Sequence, residues 1–262
     1  LGYQDLADVK LGDAVEQRLA ITFADIRGFT SAMETMPPAD TFNWLNRCYS
    51  ILGPEIRRAQ GFVDKYIGDA ILALFPQGAE GAVEAAIAMQ RGLAMNNQYW
   101  LGMGIHIGPT MIGTLGEPER FEATVISDAV NVAARIESIS KALEVRVIVS
   151  EDLRNALTNP NQWNWRYLGL FQLRGRSIPV TLYELLDAEP EMAQRRVTQS
   201  DFENAVQHLI ENRALEALLL LESILKVDPT DPVARFFYER AQAAVDKPLD
   251  LTLGFQVAEP FK

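Results

Sequence analysis

The stretch Phe62–Phe75, FVDKYIGDAILALF, constrains the fold more than any other part of the chain. Two runs of strand-type residues, Phe62–Ile67 and Ala70–Phe75, flank the dipeptide Gly68-Asp69. A two-residue turn of this kind joins antiparallel strands, so the stretch reads as a tight hairpin. Another strand-type run, Leu19–Ala24, leads straight into Asp25, and Gly28 and Thr30 follow. If that strand neighbours the hairpin, Asp25 and Asp69 converge at one edge of a sheet. Two ionised carboxylates held close repel unless one is protonated or a cation lies between them. A hard divalent cation with oxygen ligands removes the conflict. Gly28 lets backbone approach a ligand closely. Residues 28–30 would open a short helix whose free N–H groups face phosphates.

The rest of the chain alternates between the two periods. Pro37, Pro38 and Asp40 form a helix start, and Phe42, Leu45, Tyr49, Leu52 and Ile56 then recur at helical spacing until Gln60-Gly61. Ala79–Leu93 is a second amphipathic helix. Leu101–Ile107 reads as a strand turned by Gly108-Pro109, and Phe121–Ile126 as another. Asp128–Ser140 is a helix with Val130, Ala133, Ala134 and Ile136 on its apolar side. Val145–Val149, Trp163–Leu168, Leu170–Leu173 and Val180–Leu186 read as short strands. The sum is an α+β domain over residues 19–187, a mainly antiparallel sheet with helices packed on one face. Residues 1–18 are a polar lead-in.

After Asp187 the character changes. Over 198–246, Phe202, Ala205, Leu209, Ala217, Leu221, Ile224 and Pro229 fit one helix–turn–helix repeat of tetratricopeptide (TPR) type, with a second pair begun at Asp231. Stacked arrays need about three repeats, so this all-helical extension is expected to pack on the main domain or on a partner. The tail, 247–262, carries Pro248 and Pro260 and reads as extended.

Composition narrows the function classes. The formal charge of −11 makes the chain a poor ligand for nucleic acid or anionic lipid. One cysteine, Cys48, permits no internal disulfide, and two histidines far apart supply no Cys/His zinc site. A reducing, cytoplasmic setting is the default expectation. No apolar run reaches the roughly 18 residues of a membrane helix. The chain begins on Leu1 and not on Met, which leaves room for an upstream sensor domain or membrane anchor.

Five segments in order, FADIRGFT (23–30), VDKYIGDAILALF (63–75), GIHIGP (104–109), ATVISDAVNVAARIES (123–138) and LRGRSIPVTLYEL (173–185), resemble the catalytic domain of class III nucleotidyl cyclases. The likeness spans about residues 11–187 and is nearest to the bacterial and cyanobacterial type with a Lys–Thr adenine-recognising pair. It implies a ferredoxin-like βαββαβ core with extra strands. It implies that Asp25 and Asp69, with the Ile26 carbonyl, hold two Mg²⁺ or Mn²⁺ ions per active site. Gly28, Phe29, Thr30 and Gly68 belong to the substrate-binding set, the first three through phosphate. Lys65 and Thr124 read the adenine edge of ATP, Asn131 orients the ribose, Arg135 stabilises transition-state charge, and Arg174 meets the terminal phosphates. Two domains pair head-to-tail as a homodimer, and each site draws residues from both.

The implied chemistry suits these side chains. The ribose 3′-oxygen attacks the α-phosphorus and pyrophosphate leaves, giving 3′,5′-cyclic AMP. Charge builds on phosphoryl oxygens, where a guanidinium fits. Asn131 and Arg135 are four apart and share a helix face. There are departures from the family pattern. Ser127 stands where Gly is frequent, Gly102 stands where some relatives carry a phosphate-binding Arg, and Arg27 adds positive charge beside Asp25. His106 reads as a satisfied structural residue. The competing function is a catalytically weak nucleotide-binding or signalling scaffold. Neither a phosphate-loop motif nor a GGDEF signature is present to support another nucleotide enzyme. Bicarbonate is a candidate regulator, because relatives with the Lys–Thr pair respond to it.

Overall fold

A computed structural model describes residues 11–29, 33–34, 36–96, 99–117, 119–190, 192–252 and 254–257. The chain runs β1 (Ala14–Ile26), α1 (Pro38–Arg58), β2 (Phe62–Ile67), β3 (Ala70–Phe75), α2 (Ala79–Asn96) and β4 (Leu101–Glu117). It continues through β5 (Arg120–Ile126), α3 (Asp128–Ala142), β6 (Val147–Ser150), α4 (Glu151–Asn155), β7 (Trp165–Phe171) and β8 (Val180–Leu185). Three helices follow, α5 (Met192–Ile210), α6 (Ala214–Val227) and α7 (Pro232–Asp246). The sheet order is β2-β3-β1-β4-β6-β8-β7, with β5 on the far part of β4. Every pairing is antiparallel except β4 with β6. The first six elements, with β3 inserted between β1 and β2, form the split βαβ of a ferredoxin-like core.

Helices cover both faces of this sheet, not the one face expected. Side chains alternate across a strand, and both sets are buried. On β1, Ala20, Ala24 and Ile26 join α1 and α2 in one core. Leu19 and Ile21 point the other way, against Ala129 and Ala133 of α3. All six residues of β3 are buried, Ile71, Ala73 and Phe75 to one side and Leu72 and Leu74 to the other. A strand without alternation is what two-sided burial produces.

Two strand boundaries also differ from expectation. Gly108-Pro109 does not turn the chain, and β4 runs through it in unbroken register with β1. On its other side β4 pairs with β6 over Met103–Ile105 and with β5 from Met111 onward. Pro109 falls in the gap between, where a missing N–H costs no ladder bond. Trp163–Leu168 and Leu170–Leu173 are parts of one strand, β7, whose register shifts between Tyr167 and Gly169.

The C-terminal helices dock on the sheet domain. Phe202, Leu209, Leu221 and Phe237 share an apolar cluster with Ile136, Leu168, Phe171 and Leu182. Beneath them lies a buried ionic network. The Arg166 guanidinium donates through Nε to Glu184 at 2.7 Å and pairs with Asp231, all three side chains being fully buried. Arg195 of α5 reaches the second Glu184 oxygen at 2.7 Å. Asp231 also caps α7, accepting from Val233 and Ala234 N–H at 3.0 and 3.1 Å.

Candidate active site

Strand register brings the two aspartates together. Asp25, near the end of β1, lies opposite Ala70 of β3 and Gly102 of β4. Asp69 directly precedes Ala70, in a turn where Gly68 takes φ +63°. The Asp69 carboxyl is pushed up to about 6, first by burial and then by the Asp25 charge. Beneath the turn, the Tyr49 hydroxyl donates to the Gly68 carbonyl. Its ring lies 4.1 Å from that of Tyr66. Tyr49 is pushed up to about 12 by burial and by Asp69. Two half-buried oxygen donors that resist ionising together fit a hard divalent cation. Among the described residues no third Asp, Glu, His or Cys joins them. Backbone and substrate oxygens would therefore complete the coordination.

Arg27 has a larger place than sequence reasoning gave it. Its Nη1 donates to Asp25 Oδ2 at 2.7 Å, and its Nη2 to Ser140 Oγ at 2.9 Å. Nη2 also lies 2.7 Å from Glu137 Oε1. The guanidinium rests on Gly102, where an added Cβ would lie 1.8 Å from Nη2. Only glycine leaves room for it. Glu137 is raised by burial, which outweighs the Arg27 charge that lowers it. The two departures at Arg27 and Gly102 are thus one steric arrangement. The signal was present as two separate oddities, and only the β1–β4 register connects them. Arg27 and Gly28 border an open cavity of about 500 Å³ with Tyr99, Trp100, Lys141 and Glu144. Lys141, a second cation acting on Asp69 and Glu137, was not singled out from the sequence. Gly28 has φ +82°. Phe29 is buried against Trp44, with ring centroids 5.3 Å apart, so its backbone and not its ring is available to a ligand. Thr30 lies outside the described residues. Ile26 is buried at the end of β1, opposite Leu101.

Lys65 and Thr124 meet directly. Lys65 Nζ donates to Thr124 Oγ1 at 2.9 Å, and Asp64 Oδ2 lies 3.4 Å from the same ammonium. The pair joins β2 to β5 across 59 residues of sequence.

A third group forms at α3. Ser127 caps this helix, accepting from the Ala129 N–H at 2.9 Å and donating to the Pro109 carbonyl at 2.5 Å. Asn131, one turn in, is exposed. Arg135, one turn further, lines a cavity of about 390 Å³ with Arg174 and Gly175 from the β7–β8 turn. A Cβ on Gly175 would stand 3.5 Å from Arg135 Nη2. Glu137, a conceivable partner for Arg135, is taken by Arg27, and Arg176 pairs with Asp128. His106 is buried, hydrogen-bonded through Nδ1 to Ser150 Oγ at 2.7 Å, and pushed down to about 4 chiefly by burial. It is a satisfied structural residue, as expected.

Comparison with known proteins identifies the family and the fold. The family described as "Adenylate and Guanylate cyclase catalytic domain" matches residues 14–187. An adenylate cyclase of Anabaena cylindrica is 36% identical over 197 residues, covering 70% of this chain and 39% of that protein. A terminal-differentiation-specific adenylate cyclase of Dictyostelium discoideum is 32% identical over 252 residues, 90% of this chain and 12% of that protein. The chain thus spans well under half the length of these relatives. Among solved structures, a bacterial light-regulated adenylyl cyclase superposes with a TM-score of 0.61 at 24% identity, covering 67% of this chain and 54% of that one. An adenylyl cyclase of P. aeruginosa gives a TM-score of 0.58 at 24% identity, over 66% and 95% of the two chains. These likenesses establish the fold, an α+β cyclase-like domain with a mostly antiparallel sheet. The chain belongs to the adenylate and guanylate cyclase catalytic domain family.

Proposed function

We propose that this chain is an adenylyl cyclase domain that converts ATP to 3′,5′-cyclic AMP and pyrophosphate. The observation that carries the choice of base is the 2.9 Å hydrogen bond between Lys65 and Thr124. An ammonium donor beside a hydroxyl that both donates and accepts suits the ring nitrogen and amino edge of adenine. Guanine presents a carbonyl and an N–H at the corresponding edge, which an acidic partner would serve better.

Asp25 and Asp69, with the Ile26 carbonyl, would hold Mg²⁺ or Mn²⁺. Such cations supply charge neutralisation and a lowered pKa for the attacking hydroxyl. The Gly28–Phe29 backbone presents N–H groups to phosphate, with Thr30 completing the segment. Gly68 sets the turn that aims Asp69. Asn131 orients the ribose, so that its 3′-oxygen is in line with the α-phosphorus. Arg135 neutralises charge on the phosphoryl oxygens as the new P–O bond forms and the bond to pyrophosphate breaks. Arg174 holds the terminal phosphates.

The carboxylate pair, the Lys–Thr pair and the arginine pair are three separate groups on the chain. A head-to-tail homodimer would bring the first from one protomer to the other two from its partner, with two equivalent sites by symmetry. The extension reads as TPR-like and as a part that packs on the cyclase domain or on a partner, and an upstream sensor would be a separate regulatory part. Bicarbonate as a regulator rests on the Lys–Thr pair alone.

The test is turnover of ATP and GTP by the purified chain with Mn²⁺, alongside its oligomeric state. Cyclic AMP from the dimer, lost in Asp25→Ala and Asp69→Ala, is expected. A verified dimer that makes none, or that prefers GTP, refutes the reading. Added bicarbonate at fixed pH should raise the rate, and an unchanged rate removes it as a regulator.

A further inference from the structure

The tail after α7 returns to the sheet beside the arginine cavity. Phe255 forms a parallel bridge with Phe171, the last residue of β7. Its N–H donates to the Leu170 carbonyl at 2.6 Å, and its carbonyl accepts from the Gln172 N–H at 3.0 Å. The ring is 2% exposed and packs 5.8 Å from Phe171 and 4.9 Å from Phe237 of α7. Two glycines make this seam sterically feasible. A Cβ on Gly169 would lie 2.8 Å from the Phe255 ring, and one on Gly254 would lie 2.4 Å from the Leu170 carbonyl oxygen. Both take positive φ, +99° and +81°, where a side chain is strained. From α7, Arg240 donates to the Gln256 carbonyl at 2.7 Å. Gln256 and Val257 then line the cavity that holds Arg135 and Arg174.

Gln172 connects the seam to the turn. Its backbone N–H is held by Phe255, and its side-chain amide donates to the Arg176 carbonyl at 2.5 Å, closing the loop that carries Arg174. Arg174 itself is exposed. The backbone that carries it is tied to the sheet through Gln172.

We propose that residues 254–257 are a positioning strap for the β7–β8 turn, through which the helical extension sets the placement of Arg174. This rests on the reading of Arg174 as a ligand of the terminal phosphates. The strap touches no reacting atom. It restricts the turn, so that Arg174 meets the phosphates without first being ordered, and the binding energy is not spent on that ordering.

The test uses the full chain with Phe255→Ala, and with Gly254→Val, which forces the tail off the Leu170 carbonyl while deleting no aromatic side chain. ATP turnover with Mn²⁺ is measured beside Arg174→Ala, and hydrogen exchange is followed at the Gln172 amide. Each strap variant should raise KM for ATP about three- to tenfold with kcat little changed, since a hydrogen bond to a charged group is weakened. Combined with Arg174→Ala, neither should raise KM further, as expected of coupled residues. Gln172 should lose protection while β8 and α5 keep theirs. Unchanged KM in the strap variants, where Arg174→Ala does raise it, overturns the proposal. So does loss of protection spread evenly through β7, β8 and α5, which marks simple destabilisation. If Arg174→Ala itself leaves KM unchanged, the phosphate role of Arg174 has failed, and the Gln172 exchange alone decides whether the strap holds the turn.

Discussion

The ionic network under the C-terminal helices permits a worked prediction for Arg166→Met. The guanidinium is fully buried, holds Glu184 and Asp231, and lies 4.5 Å from the Phe202 ring. Methionine keeps most of the volume and removes the charge. Breaking a buried pair by deleting one partner costs about 3–5 kcal/mol, because a charge is left uncompensated. Glu184 retains Arg195 at 2.7 Å, so only Asp231 loses its main partner, and the lower part of that range, about 3–4 kcal/mol, applies. For a chain of this size that is a fall in Tm of roughly 6–16 °C.

The pH dependence gives the sharper check. Burial alone would raise the Asp231 carboxyl, but Arg166, Arg195 and the α7 N–H groups together hold it below the usual range. A depressed carboxylate contributes stability above its unfolded pKa, near 3.9, that is lost as pH falls through the folded value. Without Arg166 the shift reverses sign, and the mutant gains stability relative to wild type as pH drops from 7 toward 4. Urea denaturation at pH 7 and at pH 4.5 measures both effects. A loss under about 1 kcal/mol at pH 7, the range of exposed pairs, would refute the reasoning. So would a gap between the two proteins that does not narrow in acid.

Three further outcomes are expected. Gly102→Ala puts a methyl where Arg27 Nη2 now sits and should cost about 1–3 kcal/mol by overpacking; denaturation equal to wild type would show that the guanidinium moves freely. Lys65→Ala should lower kcat/KM for ATP by about tenfold to a hundredfold, the worth of a charged hydrogen bond, with the rate for GTP much less affected; equal losses on both nucleotides would contradict a base-reading role. His106 is held near 4, below its ordinary 6.5, so its neutral form contributes stability that is present above pH 6.5 and lost as pH falls toward 4. The Tm of His106→Gln should then vary less over that interval than that of wild type, and parallel pH profiles would refute this.

Much of the site was legible because its parts are local. The Gly68-Asp69 hairpin, the strand ending at Asp25 and the i, i+4 pair Asn131 and Arg135 are fixed by turn chemistry and periodicity within a few residues. Helix starts were legible for the same reason, since Pro37, Pro38 and Asp231 act on their own neighbours. The turn expected at Gly108-Pro109 failed for a non-local reason. Proline breaks a ladder only where a partner needs its N–H, and which stretch of β4 lacks that partner depends on β5 and β6. The unalternating run AILALF carried the signal for helices on both faces, but a run that short reads equally as a strand buried on one side within a hairpin.

The sequence by itself determined which chemical groups the chain offers and in what order, including the carboxylates, the Lys–Thr pair, the arginines and an α+β pattern to carry them. Those follow from residue type and spacing, which act over one turn or one strand. Only the tertiary structure decided that Arg27 rests on Gly102 and holds Asp25 and Glu137, that Lys65 touches Thr124, and that the tail lies along β7 beside Arg135 and Arg174. Each of these is a contact between segments far apart in sequence, set by sheet register and by whether a Cβ leaves room.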